Sequence, residues 1–139
     1  MKIAVAGVGY VGLVTAVTLA DVGHDVICLD VDKGKLKMLA EGISPIYEYG
    51  LEELMLKNRE RLEFTDDVTK YSEAQVIIIG VGTPEKEDGS ADLSAVFSVA
   101  DSIADNCSDG TVVAVKSTVP IGTCESVRRR IGERRPELR

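Results

Sequence analysis

The feature that most constrains this chain is the hexapeptide Gly7-Val8-Gly9-Tyr10-Val11-Gly12, a G-x-G-x-x-G set directly after the apolar run Lys2-Ile3-Ala4-Val5-Ala6. The run has the length of a strand. The segment from Val11 to Val22 has the length of a helix and no proline, and Gly23-His24 is a natural helix stop. Asp25 to Leu29 is strand-like again and closes on Asp30. Strand, glycine turn, helix, strand and terminal acid make one βαβ unit, the context in which this motif acquires a meaning.

Each position in the unit has a physical job. Gly7 permits the tight turn out of the strand. Gly9 offers no side chain, so a pyrophosphate can approach the backbone, and Gly12 lets the helix pack closely on the sheet. Ala16 and Ala20 continue the Gly12 row at i+4 spacing, which keeps that helix face small. The helix N-terminus presents free N–H groups and a positive partial charge suited to phosphate. Asp30, about 20 residues beyond the motif, stands where an acid accepts hydrogen bonds from an adenosine ribose. A carboxylate there repels a 2′-phosphate, and Val31-Asp32 supplies no arginine to welcome one, so the expected cofactor is NAD rather than NADP.

Composition narrows the alternatives. The 139 residues suit one domain, with 45% hydrophobic residues to build its core. A net charge of −7 argues against a nucleic-acid or membrane-surface partner. No apolar run approaches the roughly 18 residues of a membrane span, and the chain opens on a strand rather than a signal peptide. Cys28, Cys107 and Cys124 are odd in number and unrelated in spacing, which suggests neither a metal site nor a disulfide framework; a reduced, cytoplasmic compartment is expected.

Along the rest of the chain, Asp32 caps a predicted helix that Gly42 stops. Lys33 and Lys37 suit its solvated surface. Lys35, five residues after Asp30, is near enough to help hold a ribose or phosphate, and its spacing leaves both that reading and a surface lysine open. A turn-rich stretch from Ile43 to Gly50 leads to a helix expected over Leu51–Arg61, a short strand Leu62–Thr65, and a helical segment capped by Asp66-Asp67 and ending at Tyr71. Val76-Ile77-Ile78-Ile79 reads as a fully buried parallel strand. The loop after it, from Val81 to Ser90, leaves the carboxyl end of a central strand, where Gly82 and Thr83 can meet a dinucleotide with backbone and hydroxyl. A helix from Ala91 to Asn106, a second buried strand from Thr111 to Val115, and a last helix from Pro120 or Ile121 to about Ile131 complete the pattern. Ser117 and Thr118 are expected to face the same crevice as the glycine turn. The arginines Arg128-Arg129-Arg130, Arg134, Arg135 and Arg139 suit the solvated face of a helix.

Strands alternating with helices specify an α/β fold, a Rossmann-type doubly wound parallel sheet of order 3-2-1-4-5. A sixth strand, expected to complete its second half, is not among these residues.

Several further stretches carry a family resemblance: Ser44-Pro45-Ile46, Gly50-Leu51-Glu52-Glu53-Leu54, Val81-Gly82-Thr83-Pro84, Asp88-Gly89-Ser90-Ala91-Asp92-Leu93-Ser94 and Lys116-Ser117-Thr118-Val119-Pro120-Ile121-Gly122-Thr123. With the glycine turn and Asp30, they make the chain resemble the N-terminal NAD-binding domain of the UDP-glucose/GDP-mannose dehydrogenase family, over nearly its whole length. The Asp-Gly-Ser-Ala-Asp-Leu run favours the UDP-glucose branch; Tyr49 departs from the family's usual proline. The resemblance implies oxidation of the C6 alcohol of UDP-glucose to UDP-glucuronate with two NAD, in a full-length homodimer or higher oligomer. It assigns the pyrophosphate to the turn that holds Gly7, Gly9, Tyr10, Val11 and Gly12. It assigns the ribose to Asp30 and Lys35, and the approach to the nicotinamide to Gly82, Thr83 and Thr118, with Thr118 in a water-positioning role. The family's catalytic cysteine and its helpers lie in later domains, so this fragment is expected to bind NAD without turnover. Two other identities stay open. One is a GDP-mannose or UDP-N-acetyl-mannosamine dehydrogenase. The other is a non-catalytic dinucleotide-sensing module.

Overall fold

The computed structural model describes residues 1–137. Five strands form one all-parallel sheet: β1 (Lys2–Ala6), β2 (Asp25–Leu29), β3 (Leu62–Thr65), β4 (Val76–Ile79) and β5 (Val112–Val115), in the expected order β3-β2-β1-β4-β5. Five helices connect and flank them: α1 (Tyr10–Asp21), α2 (Lys33–Ala40), α3 (Leu51–Lys57), α4 (Ser94–Asn106) and α5 (Thr123–Arg134). The central pairings put Ile3 between Val26 and Val76, and Val5 between Cys28 and Ile78.

Alternation along the strands divides the core into two layers. On one face Ala4, Ala6, Ile27, Leu29, Ile77 and Ile79 pack with Val96, Ala100 and Ile103 of α4 and Val127 of α5. On the other, Ile3, Val5, Val26 and Cys28 pack with Leu13, Ala16, Val17 and Ala20 of α1, joined by Leu39, Leu51 and Met55. Chain leaving β1 therefore crosses one face and chain leaving β4 crosses the other. The point where the winding reverses lies between the carboxyl ends of these two neighbours, where doubly wound sheets hold ligands.

Four expectations need correction. The helix from Leu51 stops at Lys57, and a separate 3₁₀ turn covers Arg59–Arg61. The Asn58 side-chain amide donates to both the Leu54 carbonyl, at 2.9 Å, and Asp21 Oδ1, at 2.9 Å, and its backbone leaves the helical region. The helix expected from Ala91 begins at Ser94, because Ala91 pairs with Glu85 in an antiparallel bridge and the Asp92 carboxylate accepts the Ser94 N–H. The last helix waits until Gly122, at φ +91°, has turned the chain, and it runs on to Arg134. The strands β4 and β5 are less enclosed than their apolar sequences imply. Val76 and Ile78 are half-buried, and β5, an edge strand, leaves Val112 59% exposed.

The arginine run is also not simply solvated. Arg130 forks onto Asp101 at 2.6 and 2.8 Å, and Arg134 forks onto Asp105 at 3.1 and 2.7 Å, one turn further along both helices. Arg130 also lies over the Phe97 ring, 5.5 Å from its centroid. The guanidinium beside it holds Asp101 below its ordinary carboxylate range. These arginines fasten α5 to α4, which explains a cationic run on an acidic protein without a polyanion.

Candidate functional site: a glycine-lined crevice at the carboxyl edge of the sheet

Three glycines interlock where α1 meets the strand ends. A Cβ on Gly12 would lie 1.8 Å from the Gly7 carbonyl oxygen. One on Gly7, whose φ is +97°, would lie 2.9 Å from the Gly80 carbonyl oxygen, and one on Gly80 would lie 3.1 Å from Gly12 Cα. Gly12 and Gly7 admit no side chain, since the backbone itself is in the way, and a side chain at Gly80 would press on the backbone of Gly12. The N-terminus of α1 is thereby driven against the ends of β1 and β4. Gly80 was not singled out from sequence, although it closes the apolar run of β4; its importance comes from a pairing across the sheet.

Gly9 is different in kind. Its φ of −78° suits any residue, and a Cβ there would meet no protein atom within 4 Å. The chain does not need glycine at this place for its own packing. The open space lies at the N-cap of α1, where no side chain caps the helix and the first turn has no acid. By contrast, α2 is capped by Asp32, whose carboxylate accepts from Gly34 and Lys35 N–H. The free N–H groups of α1 are left for an anion from outside. Tyr10 and Val11 begin this helix and are exposed on it.

Asp30 stands beside the turn, half-buried at the end of β2. Its Oδ2 accepts the Val8 N–H at 2.8 Å and its Oδ1 accepts the Asp32 N–H at 2.9 Å. The Gly7 N–H donates to the Leu29 carbonyl at 2.7 Å. These bonds fix the carboxylate while leaving further lone pairs for hydroxyl donors. Gly7, Asp30, Val31 and Val81 share a cavity of about 200 Å³ with Asp66, Val68, Tyr71 and one face of α4 that includes Ala95 and Val99.

The loops after β4 and β5 are latched to each other. Thr83 Oγ1 donates to the Thr118 carbonyl at 2.8 Å, and Ser117 Oγ donates to the Val81 carbonyl at 2.7 Å. Ser117 is 7% exposed, so it turns inward instead of facing the crevice as expected, while Thr118 stays exposed. Gly82 is exposed beside them. Lys35 lies half-buried in the first turn of α2, and neither it nor Gly82, Thr83 or Thr118 lines the cavity at Asp30. The sequence reading did not anticipate Asp66, Ser98, Ser102 and Tyr71 as cavity-lining residues; they come from segments distant in the chain. Cys28, fully buried, has its thiol pushed up by desolvation, and Cys107 is raised by the same cause, so neither is a ready thiolate. Among the described residues no cluster of three or more His, Cys, Asp or Glu could hold a metal, and no helix is long and apolar enough to cross a membrane.

Comparison with known proteins agrees with this geometry. The family model described as "UDP-glucose/GDP-mannose dehydrogenase family, NAD binding domain" matches residues 1–138. UDP-glucose 6-dehydrogenase of Rhizobium meliloti (strain 1021) is 50% identical, over 98% of this chain and 32% of its own. A UDP-glucose dehydrogenase structure from Pyrobaculum islandicum superposes with a TM-score of 0.90 at 36% identity, covering 99% of this chain and 34% of that one. A ternary complex of the Pseudomonas aeruginosa GDP-mannose dehydrogenase gives 0.91 at 36% identity, over 99% and 33%. The chain thus spans about a third of the length of these relatives. It belongs to the UDP-glucose/GDP-mannose dehydrogenase family, as that family's NAD-binding Rossmann domain.

Proposed function

We propose that NAD lies across the carboxyl edge of the sheet, with its pyrophosphate over Gly9 at the N-terminus of α1. The single observation that carries this is the pairing of an uncapped helix end with a glycine that the protein's own packing does not require. Gly7, Tyr10, Val11 and Gly12 shape that end, and the free N–H groups of the first turn, from Tyr10 to Gly12, donate to the phosphates. Asp30, pinned by Val8 and Asp32, accepts from the adenosine ribose, and Lys35, in the first turn of α2, assists it. Gly82, Thr83 and Thr118 lead toward the nicotinamide. When bound, NAD supplies a hydride acceptor; the residues here bind and orient it.

In the full-length protein, this domain serves the two-step oxidation of UDP-glucose to UDP-glucuronate, in a cytoplasmic homo-oligomer. The similarity to UDP-glucose 6-dehydrogenases favours this over GDP-mannose, UDP-N-acetyl-mannosamine or a sensing role. Thr118 would position a water near the reacting carbon. Thr118→Ala in the full-length enzyme is then expected to slow turnover, and an unchanged kcat removes that role.

The test of the central reading is calorimetric titration of this chain with NAD, NADP and UDP-glucose separately. NAD alone is expected to give heat. UDP-glucose binding without NAD would overturn the assignment. Gly9→Ala sharpens the test. It should melt at the wild-type temperature or slightly higher, since alanine fits the backbone and restricts the unfolded chain. Its NAD affinity should nonetheless fall about tenfold or more, because a methyl group occupies the phosphate's approach. Unchanged NAD affinity in Gly9→Ala would move the pyrophosphate elsewhere.

A further inference from the structure

One buried polar group in the cavity has no task in the reading above. Tyr71 ends a path that could not be followed from sequence. The 3₁₀ turn Val68–Glu73, capped by Asp67, folds back under the sheet edge and drives the tyrosine inward until the residue is only 2% exposed. Its ring packs in the core layer of Leu29, Ile79 and Val96. It also lines the cavity beside Asp30.

The phenolic oxygen is the informative atom. No hydrogen bond joins it to any group among the described residues; of the two serine hydroxyls that line the same cavity, Ser102 Oγ donates to the Ser98 carbonyl and Ser98 Oγ is free on the exposed face of α4. Yet no side-chain oxygen or nitrogen of the described residues is both sealed from solvent and unpartnered. The Tyr71 hydroxyl therefore reaches accessible space, and the cavity beside Asp30 is the space that Tyr71 lines. Burial and the negative charge of Asp30 push the phenol well above its ordinary value, so it is a protonated donor at neutral pH. The two carboxylates that line the cavity, Asp30 and Asp66, only accept when ionised. The unpartnered tyrosine hydroxyl thus adds a donor to a wall that is otherwise mostly apolar.

A base seated here has acceptors that match. The ring nitrogens of adenine carry lone pairs in the plane of the ring. The apolar side chains of Val31, Val81 and Val99 suit its two faces. We propose that the Tyr71 hydroxyl donates a hydrogen bond to a ring nitrogen of the adenine, which makes Tyr71 a recognition residue for the cofactor's adenosine half. This rests on the assignment of the cavity to NAD.

Tyr71→Phe tests it, since the ring and its packing survive and only the hydroxyl goes. Kd for NAD and for ADP-ribose should both rise about three- to tenfold, by the same factor, as loss of one neutral hydrogen bond implies. ADP-ribose lacks the nicotinamide, so an equal loss locates the contact on the shared half. The melting temperature of the free variant should equal or exceed that of the wild type, because the deleted hydroxyl had no partner in the protein. Unchanged affinities in a folded variant overturn the proposal and leave the NAD site standing. A loss for NAD but not for ADP-ribose also overturns it. Should the variant unfold, the wild type decides: tyrosine resonances observed by NMR, with Tyr71 assigned, should show its environment changing on addition of ADP-ribose. An unmoved Tyr71 signal at saturation overturns the proposal. Wild-type protein that binds neither ligand removes the NAD reading itself.

Discussion

Gly12→Ala is expected to lower the melting temperature by about 10 °C and to abolish measurable NAD binding at 25 °C. Two effects oppose each other at this position. Alanine is a better helix former than glycine, worth about 1 kcal/mol within a helix. Against that, the new Cβ would sit 1.8 Å from the Gly7 carbonyl oxygen, and that oxygen belongs to backbone. It cannot swing aside as a side-chain tip could. Gly7 is itself held through its N–H to Leu29 and crowded by Gly80. Relief requires α1 to lift off the ends of β1 and β4, which costs about 4 kcal/mol as severe overpacking. The net loss of about 3 kcal/mol sets the expected shift for a domain of this size. Thermal unfolding followed by circular dichroism checks it. A variant that melts as the wild type would mean that the three-glycine contact is looser than described. The contrast with Gly9→Ala matters most. The two glycines belong to one motif, yet one is required by the protein's packing and the other by its ligand.

The second large effect is at Asp30. Asp30→Ala is expected to weaken NAD binding by about 1.5–3 kcal/mol, or roughly 10- to 150-fold, through loss of charge-assisted bonds to the ribose. Stability should fall as well. The buried Val8 N–H loses its acceptor, which costs about 1–3 kcal/mol for an unsatisfied buried group. Asp30→Asn separates the two roles. Its amide oxygen can still accept from the buried Val8 N–H, while its amide nitrogen cannot accept from the Asp32 N–H, so stability should return in part. The repulsion of a 2′-phosphate disappears, so the preference for NAD over NADP should narrow. Calorimetry with both cofactors and a parallel melt measure this. Wild-type affinity for NAD in Asp30→Ala would show the ribose assignment to be wrong.

Much of this arrangement was legible in the residues. The period of the apolar runs gave the alternation of strand and helix, and the handedness of parallel crossovers left one strand order to expect. Local chemistry was equally readable at Asp32, whose short acceptor side chain caps α2. Errors arose where a side chain's choice of partner was not local. Asn58 bonds both its own helix and Asp21, which is far away in sequence, and so the helix ends early. Ser117 stands next to Thr118 at the end of one strand, but the carbonyl of Val81 draws it inward. The arginines near the end of the chain look like a solvated run until α4 brings Asp101 and Asp105 opposite them.

The sequence by itself determined the doubly wound sheet, the glycine turn at its centre and the acid at the end of β2. All three rest on short-range periodicity and on what glycine and carboxylate can do within one βαβ unit. Only the tertiary structure distinguished the packing glycine from the open one, joined Gly80 to the motif, and brought Tyr71 into the cavity beside Asp30. Those relations are contacts between segments far apart along the chain. They depend on how closely α1 approaches β4 and how the turn after β3 folds back, distances that only the packed sheet defines.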